Sequence, residues 1–259
     1  PGLVVCGGRV SRGPPPVLTR QVWRLDLGKL RWERMPDLTR ERAVHACCAV
    51  RKGVAVLSGV VVGQAGPEIT ASVEVLGGAS SAAGGTIFKT LAPLSCGATY
   101  DSAVVPIDEG ESEQGQVLLI GGCNEHNVAS SAVHLVDLAT GVCTAQASLL
   151  SPQGGLIDRW VAGRLPDGRI VCAGATRQWT AQGTAQVMEP PPHGSPSEAS
   201  WQWRSLPNTS AVRFSGGGCV LSDGRFAVFG GMDASNTISS SCEALTLDAD
   251  DVRWDVLPS

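Results

Sequence analysis

An apolar strand ending in two small residues occurs five times in this 259-residue chain, and that repetition constrains the fold more than anything else in it. The copies are Leu3–Gly8, Val54–Gly59, Val117–Gly122, Ile170–Ala175 and Phe226–Gly231, with the first small residue at 7, 58, 121, 174 and 230. A polar loop and an alternating strand follow each copy, as in Ser72-Val73-Glu74-Val75 or Glu243-Ala244-Leu245-Thr246. A further strand then carries an aromatic residue: Trp32, Phe88, Trp203 or Trp254, with Cys143 at this place in the third unit. A proline closes most units, at Pro36, Pro93, Pro207 and Pro258. A multi-part pattern returning every ~50 residues marks a repeat architecture whose units bury their faces against one another.

The units run approximately 1–38, 39–94, 95–150, 151–208 and 209–259. The last four also have a leading strand, at His45–Val50, Thr99–Ile107, Val161–Leu165 and Gly217–Leu221. The first unit begins directly at its Gly-Gly strand, so five repeats are expected to form a six-bladed ring or a fragment of one. With 32 Gly and 16 Pro and no stretch of helical periodicity, the chain reads as all-β.

In its order of strands the repeat resembles the Kelch family, where a Gly-Gly strand precedes a Trp strand. That resemblance covers the whole chain and implies one β-propeller domain over 1–259, with four-stranded antiparallel blades. Paired small residues let the backbone turn tightly near a crowded axis. Each Trp is suited to plug the space between neighbouring blades.

The catalytic searches point away from an enzyme. No Gly-x-Ser-x-Gly, phosphate-binding loop or His-Glu-x-x-His occurs. Arg159-Trp160-Val161, with Pro166-Asp167-Gly168-Arg169 and Ser222-Asp223-Gly224-Arg225, is similar to blades of galactose and glyoxal oxidases. That resemblance implies a copper-radical centre needing two tyrosines, whereas Tyr100 is the single tyrosine here. An oxidase-like propeller would need ligands from elsewhere, and neither cofactor nor metal is expected. The acidic run Asp108, Glu109, Glu111 and Glu113 lacks the order of a calcium loop and reads as a solvated hairpin. His134 falls in a strand and reads as structural; His126 falls in a loop and could meet a partner.

A net charge of −4 argues against nucleic acid. No apolar run suggests a membrane span. Nine cysteines, an odd number without Cys-x-x-Cys, sit mostly in apolar strands. They are expected to be reduced and mostly buried, in a cytoplasmic or nuclear protein.

Strand alternation places the loops on two faces. One carries Arg9, Arg12, Arg20, Arg40, Arg42, Arg159, Arg177 and Arg213 against Asp37, Glu41, Glu68, Glu125, Asp158 and Asp233. This positive excess contrasts with the opposite face, which holds the acidic run, the stretch 77–86 and the Pro-rich loop 189–199. Kelch propellers that capture partners use the first face. The matching positions are Arg9, Arg42, Tyr100, Asn124, Arg159 and Arg213, with Arg159 two residues out of register with the last unit. An Arg there can grip a carboxylate or brace neighbouring loops. The expected function is a non-catalytic interaction or scaffold module for an acidic protein or peptide, as part of a larger chain or complex. The alternative within the same physics is the substrate-recognition domain of a ubiquitin ligase adaptor.

Overall fold

The small-residue pairs reverse the chain because both members adopt left-handed backbone. Gly7 and Gly8 have φ of 57° and 113°, Gly121 and Gly122 60° and 96°, and Gly230 and Gly231 57° and 89°. Ser58 takes the same conformation (φ 63°) ahead of Gly59 (φ 94°). Gly174-Ala175 departs from the pattern: the strand there continues through the pair to Thr176.

The computed structural model describes residues 2–11, 13, 17–51, 53–79, 86–107, 114–150, 157–176, 183–189, 201–233, 235, 237–248 and 251–258. The acidic run 108–113, residues 80–85, most of the Pro-rich loop, Arg12, Arg177 and His193 lie outside this set. All described regular structure is β, with no helix.

A first antiparallel sheet pairs β1 (Gly2–Arg9), β2 (Leu18–Asp26) and β3 (Arg31–Met35). A short β4 (Arg42–Ala43) leads to a second sheet, ordered β5 (Ala46–Val50), β6 (Gly53–Leu57), β9 (Val73–Ala79), β10 (Thr86–Leu91). Its connecting loop is not the irregular segment that its sequence suggests. The loop folds as a hairpin, β7 (Val60–Gly63) and β8 (Gly66–Ile69), which pairs with β4 as a small sheet.

Three further sheets are four-stranded meanders. They are β11 (Ala103–Ile107) to β14 (Cys143–Ala145), through β12 (Gln116–Ile120) and β13 (Val133–Asp137). Next come β15 (Ile157–Arg164), β16 (Ile170–Thr176), β17 (Gly183–Glu189) and β18 (Gln202–Leu206). The last are β19 (Gly217–Val220), β20 (Phe226–Phe229), β21 (Cys242–Leu247) and β22 (Val252–Leu257). Among the described residues, no strand pairing joins the last sheet to the first.

The leading strands β5, β11, β15 and β19 lie side by side and define the inside of the array. The cores lie between successive sheets. Val22, Leu38 and Val56 pack between the first and second; Leu57, Leu119 and Val136 between the second and third. Ile120, Cys172 and Trp203 pack between the third and fourth, and Val171, Leu206 and Phe226 between the fourth and fifth.

The aromatic plugs serve as expected where a neighbouring sheet covers them. Trp203 is 7 % exposed and its Nε1 donates to Ala147 O at 2.9 Å. Trp254 stacks edge-on against Phe226, with Nε1 donating to Pro207 O at 2.9 Å. Each indole thus ties its sheet to the connector arriving from the previous one. Trp32, in the first sheet, is 50 % exposed.

The cysteines are all free, but only Cys6, Cys123 and Cys172 are buried. The expectation that most are buried is corrected: five of the remaining six lie on edge strands or a connector, Cys242 begins an interior strand, and all six are partly or fully exposed.

Candidate functional site at the entrance to the inner strands

Each inner strand is entered by a short segment that breaks the regular pairing, within β15 as a register shift between Asp158 and Val161, and its residues correspond by position along the repeat. Arg42, Thr99, Ile157 and Arg213 occupy one position. Val44, Asp101, Arg159 and Ser215 occupy another, two residues later. This offset separates the candidate arginines into two kinds.

Arg42 and Arg213 belong to the interior. Arg42 is fully buried beside the equally buried Glu74 on β9, and its Nη2 donates to that carboxylate. It also donates to Ser58 O at 2.8 Å and Ser72 Oγ at 2.9 Å, while Glu74 Oε2 accepts Thr39 N at 2.6 Å. Burial lowers the Arg42 guanidinium pKa, and Glu74 opposes that. Arg213 repeats the arrangement in the fifth sheet. It donates to Ser241 O and Glu243 Oε1, both at 2.7 Å, and Glu243 Oε2 accepts Ser210 N at 2.7 Å. Burial alone would raise the Glu243 pKa. The Arg213 and Ser210 hydrogen bonds outweigh burial and leave it below the usual range.

These two arginines brace the loops. Neither is an exposed grip for a ligand carboxylate, because desolvated guanidinium groups require partners and Glu74 and Glu243 supply them. The fourth sheet uses a neutral version: Gln186, at the place of Glu74, accepts Leu150 N at 2.9 Å and donates to Leu150 O at 2.7 Å. In the third sheet His134 holds this place, opposite Leu119, and burial lowers its pKa.

Arg159 lies at the entrance itself, with its side chain 30 % exposed. Its Nε donates to Asp101 Oδ2 at 3.1 Å and its Nη1 to Ser215 Oγ, so it spans the entries of three successive sheets. Asp101 N in turn donates to Val44 O at 2.9 Å. All four residues are in left-handed backbone: Val44 at φ 49°, Asp101 at 56°, Arg159 at 65° and Ser215 at 55°. That conformation costs about 1–2 kcal/mol for a residue with a Cβ, and valine tolerates it least.

The other candidates flank this arc. Tyr100 pairs with Cys123 through backbone, and its hydroxyl donates to Asn127 Oδ1. Asn124 is exposed, but its Oδ1 accepts His126 N and Val128 N, both at 3.0 Å, closing a turn. Asp233 closes the matching turn in the fifth sheet. Arg9 is exposed on the first sheet, with Nε donating to Ser11 O at 2.6 Å. His126 is largely exposed beside Glu125. Arg159 and Arg213 both line a cavity of about 20 Å³ behind the entrance, room for a single water.

The positive excess expected on this face is corrected. Arg20 pairs with Asp37, Arg40 with Glu68, Arg42 with Glu74, Arg159 with Asp101 and Arg213 with Glu243. Asp101, Glu74 and Glu243 belong to the charge count here, and including them removes the excess.

Sequence reasoning missed Asp101, Ser215 and Val44. The signal available was positional, since each stands two residues before the inner-strand sequence. The Thr99–Ile107 strand expected from sequence begins instead at Ala103, because residues up to 102 form this entry. Among the described residues no three metal-ligating side chains converge, and no helix is long and apolar enough to cross a membrane.

No family model matches the chain, and no curated protein matches it. Solved structures do. The structure of YjhT is similar with a TM-score of 0.69 at 14 % identity, over 98 % of this chain and 81 % of that one. Sheet order and this likeness together establish an all-β, propeller-like fold of antiparallel three- and four-stranded sheets.

Proposed function

We propose that the chain is a Kelch-type β-propeller acting as a non-catalytic protein-interaction or scaffold module, and that a protein or peptide docks around Arg159. The observation that carries this reading is the arc of four strained residues at equivalent positions, three of them tied together by Arg159. Strained backbone persists only where its surroundings hold it, and it clusters at sites that bind ligands, so its recurrence at equivalent points of this rim favours recognition.

Among the described residues, the size of two cavities favours a macromolecular partner. The cavity behind the entrance is about 20 Å³, and a second, between the third and fourth sheets and lined by Leu118, Met188 and Trp201, is about 190 Å³. Both are below the roughly 300–1,000 Å³ of small-molecule sites. The planar fork of Arg159 suits a carboxylate competing with Asp101. Free thiols fit a cytoplasmic or nuclear setting.

The test is to pan the immobilised chain against a random peptide library and compare variants. Peptides rich in Asp and Glu are expected, and Arg159→Ala should weaken their binding about tenfold. Asp223→Asn with Arg225→Gln, on the opposite face, should leave binding intact. Wild-type binding by Arg159→Ala, with loss in the opposite-face variant, would show that the wrong face had been chosen.

A further inference from the structure

Two thiols and an imidazole meet where the first sheet abuts the second, next to Val44 at one end of the arc. Cys6 lies on β1 opposite Val22 and is 7 % exposed. Cys47 lies on β5 opposite Val56 and is exposed. Alternation along β5 sends Ala46 and Cys48 into the core shared with the third sheet, so Cys47 faces the first. Gly7, next to Cys6, sits so close that a Cβ there would stand 3.1 Å from His45 Cε1. The Cys47 thiol lies close enough to the Cys6 thiol and to His45 for both to act on it, and His45 Nδ1 is buried without a partner.

We propose that Cys47 is a hydroperoxide-reactive thiol resolved by Cys6, closing a reversible disulfide between β1 and β5. In the first step the Cys47 thiolate attacks the terminal oxygen of ROOH. An S–O bond forms, the O–O bond breaks, and the alcohol ROH leaves with the proton that the thiol gave up. In the second, the Cys6 thiol attacks the sulfenic sulfur. An S–S bond forms, the S–O bond breaks, and hydroxide departs as water with the Cys6 proton. Two thiols lose two electrons, and the peroxide is reduced to ROH and water. Added dithiol returns both cysteines.

The chemistry of the three groups fits their roles. Cys6, then His45, lowers the Cys47 pKa to about 5 against the partial desolvation that its neighbours impose. Cys6 is raised by Cys47 and by burial, so it keeps its proton until the second step. An exposed low-pKa thiol beside a resolving thiol is the arrangement that redox-sensing cysteines share. The chain holds its own comparison in Cys96 and Cys143. These thiols also touch, but burial and then Cys143 push Cys96 up to about 12, and no imidazole assists.

The experiment treats the reduced full chain with a small excess of hydrogen peroxide, blocks thiols by alkylation and maps peptides by mass spectrometry. The Cys6–Cys47 disulfide should exceed the Cys96–Cys143 disulfide at least tenfold. Cys6→Ser should leave Cys47 as a dimedone-trappable sulfenic acid, and Cys47→Ser should leave Cys6 reduced. Equal amounts of the two disulfides, or Cys47 still reduced while Cys219 is oxidised, overturns the proposal. A second readout needs no variant. Between pH 6 and 8, iodoacetamide should label Cys47 at a rate changing less than about twofold. Cys219, whose pKa burial raises, should speed up about a hundredfold. Parallel rises at the two thiols also overturn it.

Discussion

Arg42 and Glu74 form an ion pair with neither side chain accessible to solvent, 32 residues apart in sequence, one on β4 of the small sheet and the other on β9 of the second sheet. Removing one partner strands the other charge in a medium that solvates it poorly. Arg42→Ala should therefore destabilise the fold by about 3–5 kcal/mol. Replacing Arg42 and Glu74 together by Met and Leu should cost distinctly less, because no buried charge is left behind. Urea unfolding of the two variants checks the order.

The Arg213–Glu243 pair sets an acid limit. Glu243 is held below the usual carboxylate range, so its contribution is fully present above the unfolded pKa of roughly 4.3 and is lost as pH falls through the lower folded value. Unfolding free energy measured from pH 6 to 3 should fall less steeply in Glu243→Gln than in the wild type. An unchanged slope contradicts the assignment.

Gly121 should tolerate no side chain. Its φ is 60°, and an added Cβ would stand 2.7 Å from Trp160 Cδ1 in the next sheet. Gly121→Ala should destabilise by about 2–4 kcal/mol, combining left-handed strain with overpacking. Gly217→Ala, in ordinary backbone with nothing within 4 Å, should be neutral or slightly stabilising. Thermal unfolding of both variants separates the outcomes.

Strain around Arg159 can be relieved at an exposed place. Val44 is 41 % exposed with φ 49°, and glycine adopts that conformation freely. Val44→Gly should raise stability by up to about 1 kcal/mol, because the left-handed penalty is partly offset by the greater flexibility of the unfolded chain. If the arc serves recognition, the gain should come with weaker peptide binding. Arg159→Ala, which removes a partly exposed pair, should change stability by less than about 1 kcal/mol.

Much of the architecture was legible because it rests on local chemistry. The pairs at 7–8, 121–122 and 230–231 announce themselves as glycine where the backbone needs positive φ, and Trp203 and Trp254 announce themselves by size. The division of labour among arginines was not legible. Arg42, Arg159 and Arg213 are alike in one dimension, and a shift of two residues sends one to the rim and the others inside. The partners of the buried pair, Glu74 and Glu243, stand in alternating strands where a carboxylate reads as solvent-facing. Only the spacing of 32 and 30 residues between Arg and Glu in two units hinted otherwise. The hairpin of β7 and β8 was hidden by two glycines and a proline at 63–67, which read as an irregular loop.

The separation of the core into slabs between neighbouring sheets has a consequence for how the chain comes apart. Every sheet borrows its stability from the one beside it, so loss propagates in order along the chain. The first sheet gives up least on leaving, because Leu3, Val5, Trp23 and Trp32 already face solvent. Amide protons there should exchange earliest, and those of Val117–Ile120, flanked by cores on both sides, should exchange last. Mechanically, the array resembles a book that opens from its cover.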